Sequence, residues 1–181
     1  MAGIDATLPF HPVNLAILTV SDSRGLADDR SGDLLQQRAL DAGHRVVARE
    51  IVTDDRADIE ARLRHFIADP GVDVVLATGG TGVTGRDVTP EAFQAVYEKE
   101  LPGFGELFRW LSYAKIGTST IQSRATAGVA GGTYLFALPG SPGACADAWD
   151  GILVHQLDAR YRPCNFVEIM PRLQEHLRRG K

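Results

Sequence analysis

The sequence predicts an α/β fold, a three-layer α/β/α sandwich built on a mostly parallel sheet, and three observations carry that prediction. Short apolar runs rich in β-branched residues, Leu15-Ala16-Ile17-Leu18-Thr19-Val20, Val72 to Thr78 and Thr133 to Leu138, read as strands buried on both faces. Segments with apolar residues at helical spacing lie between them. Each run ends abruptly in a polar or glycine-rich turn, and strands alternating with helices at this rhythm imply parallel crossovers. With 181 residues, 44% hydrophobic and 23% charged, the chain suits one soluble globular domain.

In chain order, Met1 to Pro12 reads as a loose leader, with acidic Asp5 and none of the features of a signal or transit peptide. After the first strand, Ser21-Asp22 forms a polar turn. Ser31 is the expected N-cap of a helix carrying Leu35, Ala39 and Ala42 on one face and stopped by Gly43. Arg45 to Val52 is a second, more alternating strand, placed nearer a sheet edge. A helix from about Arg56 to Ala68 aligns Ile59, Leu63, Phe66 and Ile67. The next helix begins at Thr89-Pro90, Thr89 capping it and Pro90 taking its first position. Phe104, Phe108, Trp110, Leu111 and Tyr113 form the densest aromatic region, read either as core or as a subunit contact. Ser141 and Pro142 open a helix with Cys145, Ala148, Trp149, Ile152 and Leu153 inward. From residue 158 the chain reads as an irregular tail.

The chemistry concentrates after the Val72 strand. Gly79, Gly80, Gly82 and Gly85 follow it almost without pause, and strand, bare backbone and helix start form an arrangement that binds anions through main-chain N–H groups. Two familiar patterns fail. Gly80 to Gly85 has P-loop spacing, but Arg86-Asp87 stands where Lys and Ser/Thr are required. Gly80-x-Gly82-x-x-Gly85 spells the dinucleotide fingerprint, yet it sits far from the first βα turn and the helix starts too late. A tight glycine turn without a ligand is the plain alternative.

Ligands bind parallel sheets beyond the carboxyl ends of the strands. That rule gathers Ser21-Asp22, Asp54-Asp55, Thr78 to Asp87 and Pro139 to Ser141 on one edge. Carboxylates beside a phosphate cradle suggest Mg²⁺, which takes oxygen ligands and phosphate together. Asp54 or Asp55 could instead only cap the following helix, and Arg86 could grip phosphate or only pair with Asp87. The net charge of −4 excludes a basic footprint for nucleic acid, the Arg178 to Lys181 end reads as a solvated tail, and no apolar run reaches the roughly 20 residues of a membrane span. Cys145 and Cys164 lack metal spacing, Cys145 reads as core and His44 as surface, so a reducing, cytoplasmic setting is expected.

Thr78-Gly79-Gly80-Thr81-Gly82, Arg86-Asp87-Val88-Thr89-Pro90-Glu91-Ala92, Pro102-Gly103-Phe104-Gly105-Glu106, Ser123-Arg124 and Leu138-Pro139-Gly140-Ser141-Pro142 together resemble the molybdenum cofactor biosynthesis family MoaB/MogA, which includes domains of the plant Cnx proteins and of gephyrin. The resemblance runs from about Leu15 to Phe166, and Gly117 to Arg124 with Leu157 to Arg160 and Arg162 to Phe166 is similar to the MoaB branch. It implies a homo-oligomer, a trimer or a dimer of trimers. It also implies Mg²⁺- and ATP-dependent adenylylation of molybdopterin, with Asp54 and Asp87 catalytic and metal-holding. Thr78, Gly79, Gly80, Thr81, Gly82 and Arg86, with Ser21 and Asp22, would take the nucleotide; Ser119, Ser123, Arg124, Pro139, Gly140 and Ser141 would take the pterin and its phosphate. Non-catalytic molybdopterin binding is the alternative activity, and a scaffold the third.

Overall fold

A computed structural model describes residues 2–178; residues 179–181, most of the expected basic tail, lie outside the described residues. The strands are β1 (Gly3–Ile4), β2 (Asn14–Val20), β3 (Arg45–Val52), β4 (Val74–Thr78), β5 (Lys99–Glu100), β6 (Thr126–Ala130), β7 (Thr133–Leu138) and β8 (Tyr161–Arg162). The main helices are α1 (Arg30–Asp41), α2 (Arg56–Ala68), α3 (Thr89–Gln94), α4 (Pro102–Ile116) and α5 (Pro142–Ala148). α5 continues through a π-helical turn, Trp149–Leu153, into α6 (Val154–Gln156); α7 (Phe166–Ile169) and α8 (Glu175–Arg178) follow.

Six strands form one sheet in the order β3-β2-β4-β7-β6-β5, with the β2–β3, β2–β4 and β4–β7 pairs parallel. The alternating Arg45 strand is an edge, as its pattern predicts. Alternation explains the two cores. Leu15, Ile17, Val74, Leu76, Tyr134 and Phe136 face one side, where α1, α4 and α5 cover them. Ala16, Leu18, Val75, Ala77 and Leu135 face the other, under α2 and α3. Helices therefore flank both faces, and the three-layer reading holds. β6, in a hairpin with the expected strand β7, and β5 add antiparallel strands at the other edge, where no strand was expected. Gly128 carries that hairpin past Tyr97: a Cβ there would sit 2.3 Å from the phenol ring.

Two helix starts differ from expectation by a residue or two. Asp29, not Ser31, caps α1, its Oδ1 accepting from Gly32 N at 2.9 Å. Val88 precedes α3, which puts Thr89 inside the helix without capping it. The local turn decided both: Asp29 fits the N-cap pattern as well as Ser31 does, and Val88 precedes its helix with no side-chain cap at all.

The leader is held rather than loose. β1 pairs antiparallel with β8, and Asp5 N donates to Arg160 O at 2.9 Å. The tail likewise packs on the core through Phe166, Val167, Met170 and Leu173. His44, expected at the surface, is buried at 4% exposure. Val13 N donates to its Nδ1 at 3.3 Å, the tilted Phe10 ring lies 5.2 Å away, and Arg160 lies 5.1 Å above Phe10 while also gripping Asp158. Burial pushes the His44 imidazole below its ordinary 6.5, with Asp158 opposing. The unfolded chain therefore takes the proton first as pH falls, so this contribution is complete above 6.5 and is lost on acidification towards the lowered folded value. A melting series from about pH 7 down to about pH 5 should show the melting temperature falling. His44→Gln should flatten that part of the curve, and a parallel fall in both proteins would contradict the assignment.

Candidate functional site

β2, β3, β4 and β7 run parallel, so the turns leaving them meet at one edge of the sheet, as the sequence predicts. Gly79 forms the floor. Its φ of +109° suits glycine alone, and a Cβ there would lie 2.2 Å from Val20 O. Gly79 N donates to Leu138 O at 3.1 Å, and a Cβ on Gly140 would lie only 3.2 Å from Gly79 Cα. The glycine loop and the Pro139-Gly140-Ser141 turn therefore touch main chain to main chain. Gly80 and Gly82 lie against carboxylates: Cβ atoms there would meet Asp54 Oδ1 at 3.0 Å and Asp87 Oδ2 at 2.8 Å. Gly85 faces open space and has no such constraint.

Thr78 is buried at 0% exposure, and its Oγ1 donates to Pro139 O at 2.9 Å with Cys145 Sγ 3.2 Å away. Its side chain braces the two turns against each other, so of Thr78 the main chain is what faces the loop. Cys145 is core, as expected, its thiol pushed up by burial to about 11. Thr81, also buried, accepts Arg124 N at its carbonyl, 3.1 Å away. Thr89 N donates to Gly80 O at 3.0 Å, while the Thr89 hydroxyl is buried without a partner beneath Gly80.

The acidic turns sort themselves by role. Asp55 caps α2, accepting from Ala57 N at 2.8 Å and Asp58 N at 3.2 Å. Asp54 is thereby free of capping. It exchanges bonds with Asp22: Asp22 N donates to Asp54 Oδ2 at 3.1 Å, and Asp54 N donates to Asp22 Oδ1 at 3.0 Å. Arg86 pairs with Asp22 and not with Asp87. Desolvation, then the charge of Asp22, raise Asp54 above the usual carboxylate range, whereas the Asp54 amide and Arg86 lower Asp22. The pair shares charge unevenly, and Asp54 is protonated first. Asp87 is lowered, chiefly by the hydroxyl of Thr84, which donates to its Oδ2 along with Thr84 N at 2.8 Å. Ser21 Oγ accepts from Ser23 N and Arg24 N, at 3.3 and 3.2 Å, holding its own turn.

On the opposite flank, Ser141 caps α5, accepting from Ala144 N at 3.2 Å. Ser31, unremarked as a site residue in the sequence, donates to Gly140 O at 2.9 Å, joined by Arg24 at 3.3 Å. Beneath it, buried Asp29 accepts from Thr19 Oγ1 at 2.7 Å and pairs with Arg49 at 3.1 Å, which fixes the start of α1. A recess of about 370 Å³ opens beside Ser141, lined by Phe108, Ser112, Ser123, Pro139 and Asp147 among others. Ser112 and Asp147 sit in helices, where an isolated polar residue carries no sequence signal of a site.

Two residues expected to take the substrate do not line this recess. Ser119 is exposed on the 3₁₀ segment Gly117–Gln122 and does not line the recess; Thr120 does. Arg124 turns inward as a clamp. Its Nε donates to Gly82 O at 2.6 Å, its Nη2 donates to Asp87 O at 2.6 Å, and its Nη1 pairs with Glu91. The guanidinium thus holds the glycine loop and the Asp87 segment at one spacing. Ser123 Oγ, by contrast, is buried at the recess without a partner among the described residues.

Among the described residues no group of three or more His, Cys, Asp or Glu side chains is arranged to hold a metal ion. Asp54 and Asp87, each facing a glycine of the loop, suit a hard cation that keeps its waters and shares a ligand's phosphates. Nor is any helix among these residues long and apolar enough to cross a membrane.

A family model described as "Probable molybdopterin binding domain" matches residues 16–159. Molybdenum cofactor biosynthesis protein B of Escherichia coli is 54% identical over 157 residues, 87% of this chain and 92% of that one. A crystal structure of a molybdenum cofactor biosynthesis protein B aligns with a TM-score of 0.82 at 40% identity, covering 91% of this chain and 98% of its own. The tungsten cofactor synthesizing protein MoaB from Pyrococcus furiosus aligns with a TM-score of 0.71 at 38% identity, over 78% and 91% of the two chains.

The two adjacent acids should separate cleanly in stability measurements. Asp55→Ala should lower unfolding stability by about 1 kcal/mol through the lost cap, while Asp54→Ala should leave denaturant midpoints close to wild type. Equal losses in both would show that Asp54 also supports the helix.

Proposed function

The chain belongs to the molybdopterin-binding domain family of molybdenum cofactor biosynthesis proteins, and from that premise we propose that it catalyses the Mg²⁺- and ATP-dependent adenylylation of molybdopterin. The observation that carries the reading is the contact between Gly79 and Gly140. A nucleotide held over the glycine loop and a pterin phosphate held at the Pro139-Gly140-Ser141 turn would lie side by side. One oxygen of the pterin's terminal phosphate attacks the α-phosphorus of ATP, the bond to the bridging oxygen breaks, and pyrophosphate leaves with the electron pair. Pre-alignment of two phosphates supplies much of such a rate enhancement, and no covalent protein intermediate is required.

The main-chain N–H groups of the loop bind the nucleotide's phosphates, and its bare backbone permits their close approach. Arg86 exchanges its Asp22 partner for a phosphate. Asp54 and Asp87 would hold Mg²⁺, which neutralises charge on the phosphates when bound. Arg124 keeps Asp87 at its working distance from the loop. Ser123 and Ser141 take the pterin side. The inert, buried Cys145 has no chemical part.

The proposal extends to a homo-oligomer, trimer or dimer of trimers, working in a reducing cytoplasm. Leu107, Trp110, Tyr113 and Ile116 form an exposed apolar stripe along α4 that supports self-association, Trp110 being 71% exposed. The other reading, a pterin binder without catalysis, draws on the Asp22–Arg86 pair, which engages the cation intended for phosphate.

Incubation with molybdopterin, labelled ATP and Mg²⁺ should yield adenylylated pterin and pyrophosphate. Asp87→Asn should cut the rate by on the order of 10²–10³ while pterin affinity holds. Pterin binding without product from the wild-type protein would favour the carrier reading. Light scattering on Trp110→Arg should report a smaller assembly than wild type, and an unchanged mass would exclude the α4 stripe as the contact.

A further inference from the structure

The recess beside Ser141 contains a charged group to which the reaction gives no part. Asp147 lies on α5, its side chain only 17% exposed, and lines the recess with Phe108, Ile116, Ser123 and Ser141. Its Oδ1 is paired with Lys115 from the end of α4. Its Oδ2 accepts no hydrogen bond from the described residues. Asp147 stands six residues from the Ser141 cap, about 9 Å along a helix. That span suits a fused two-ring system whose side chain ends in a phosphate at the cap. The flanking walls, Phe108 and Ile116, supply flat apolar contact, and the volume of about 370 Å³ falls in the range of small-ligand sites.

We propose that Asp147 is the residue that selects the pterin, its carboxylate accepting the paired 2-amino and N3–H donors of the 2-amino-4-oxopyrimidine edge. The inference rests on the molybdopterin reading above and adds the determinant of ring specificity to it. The chemistry is that of the guanidinium–carboxylate fork: two parallel N–H donors meeting two anionic oxygens. Each carboxylate oxygen can accept two hydrogen bonds, so Oδ1 keeps Lys115 while sharing the fork with Oδ2. Lys115 has the further effect of holding the carboxylate in place and offsetting its charge once the ring excludes water. A ring with a carbonyl in place of the 2-amino group presents an acceptor to an acceptor. The site rejects it because N3–H alone still donates and one oxygen is left facing the lone pairs of the carbonyl.

The test compares 6-hydroxymethylpterin monophosphate with its 2-oxo counterpart, the matching lumazine, which differ only at the edge Asp147 would read. Fluorescence titration at neutral pH should give the wild-type protein a preference for the pterin of about 10- to 100-fold. Asp147→Asn is nearly isosteric, and its amide offers one acceptor and one donor, the complement of the lumazine edge. The preference should collapse or reverse in that variant while affinity for Mg²⁺ and ATP stays as in wild type. Lys115→Met, which removes the ion pair but keeps the carboxylate, should retain the preference. A merely structural role for the pair predicts matched behaviour of the two variants. Should Asp147→Asn keep the wild-type preference, the assignment of Asp147 is wrong and the functional reading is untouched. Should the wild-type protein bind neither molybdopterin nor the pterin phosphate, the functional reading itself falls, and the inference with it.

Discussion

The site depends on one steric constraint: two main-chain turns approach so closely at Gly79 and Gly140 that neither position has room for a side chain. Parallel neighbours β4 and β7 put the turns next to each other, since Thr78 pairs with Leu138 at the ends of the two strands. The hydrogen bonds around the contact then point one way. Leu138, Pro139 and Gly140 each give their carbonyl to an inward donor: Gly79 N, Thr78 Oγ1 and Ser31 Oγ. With those acceptors occupied from below, an anion at the surface of the turns meets glycine backbone rather than carbonyl oxygens. That orientation of dipoles suits an anion on this edge.

Around the contact, charged groups act as struts. Arg124 joins the glycine loop, the Asp87 segment and α3 through Gly82, Asp87 and Glu91. Asp29 and Arg49 steady the start of α1, from which Ser31 reaches Gly140. Asp22, Asp54 and Arg86 close the opposite side, with the Asp54 carboxyl raised by burial and the Asp22 carboxyl lowered by its hydrogen bonds. Buried or half-buried ions of this kind contribute less to net stability than to geometry, because desolvation offsets much of their attraction. Here the geometry they hold is the spacing between the carboxylates and the bare loop.

Elements far from that edge matter for integrity. The β1–β8 pair and the Phe10, His44 and Trp149 contacts close the end of the sheet at which β2 and β3 begin. The leader and the tail thereby become parts of one folded unit. α4 has two faces with different fates: Phe104 and Phe108 enter the core, while Trp110 and Tyr113 stay exposed. The core reading of the aromatic region thus holds for Phe104 and Phe108, since a helix turns successive aromatics to opposite sides.

By itself the sequence determined the layered architecture, the edge position of the Arg45 strand, the glycine loop and the family. Each of these is a local pattern: periodicity, a cluster of glycines, or a contiguous motif whose spacing leaves few alternatives. Tertiary structure alone decided that Asp55 caps while Asp54 is free, that Arg86 pairs with Asp22 and that Arg124 braces the glycine loop against the Asp87 segment. It also drew Ser31, Ser112 and Asp147 to the site and left Ser119 outside. The physical reason is shared. A side chain's role depends on which donor or acceptor lies within about 3 Å, and that neighbour comes from a strand or turn dozens of residues away. Spacing along the chain carries no record of it.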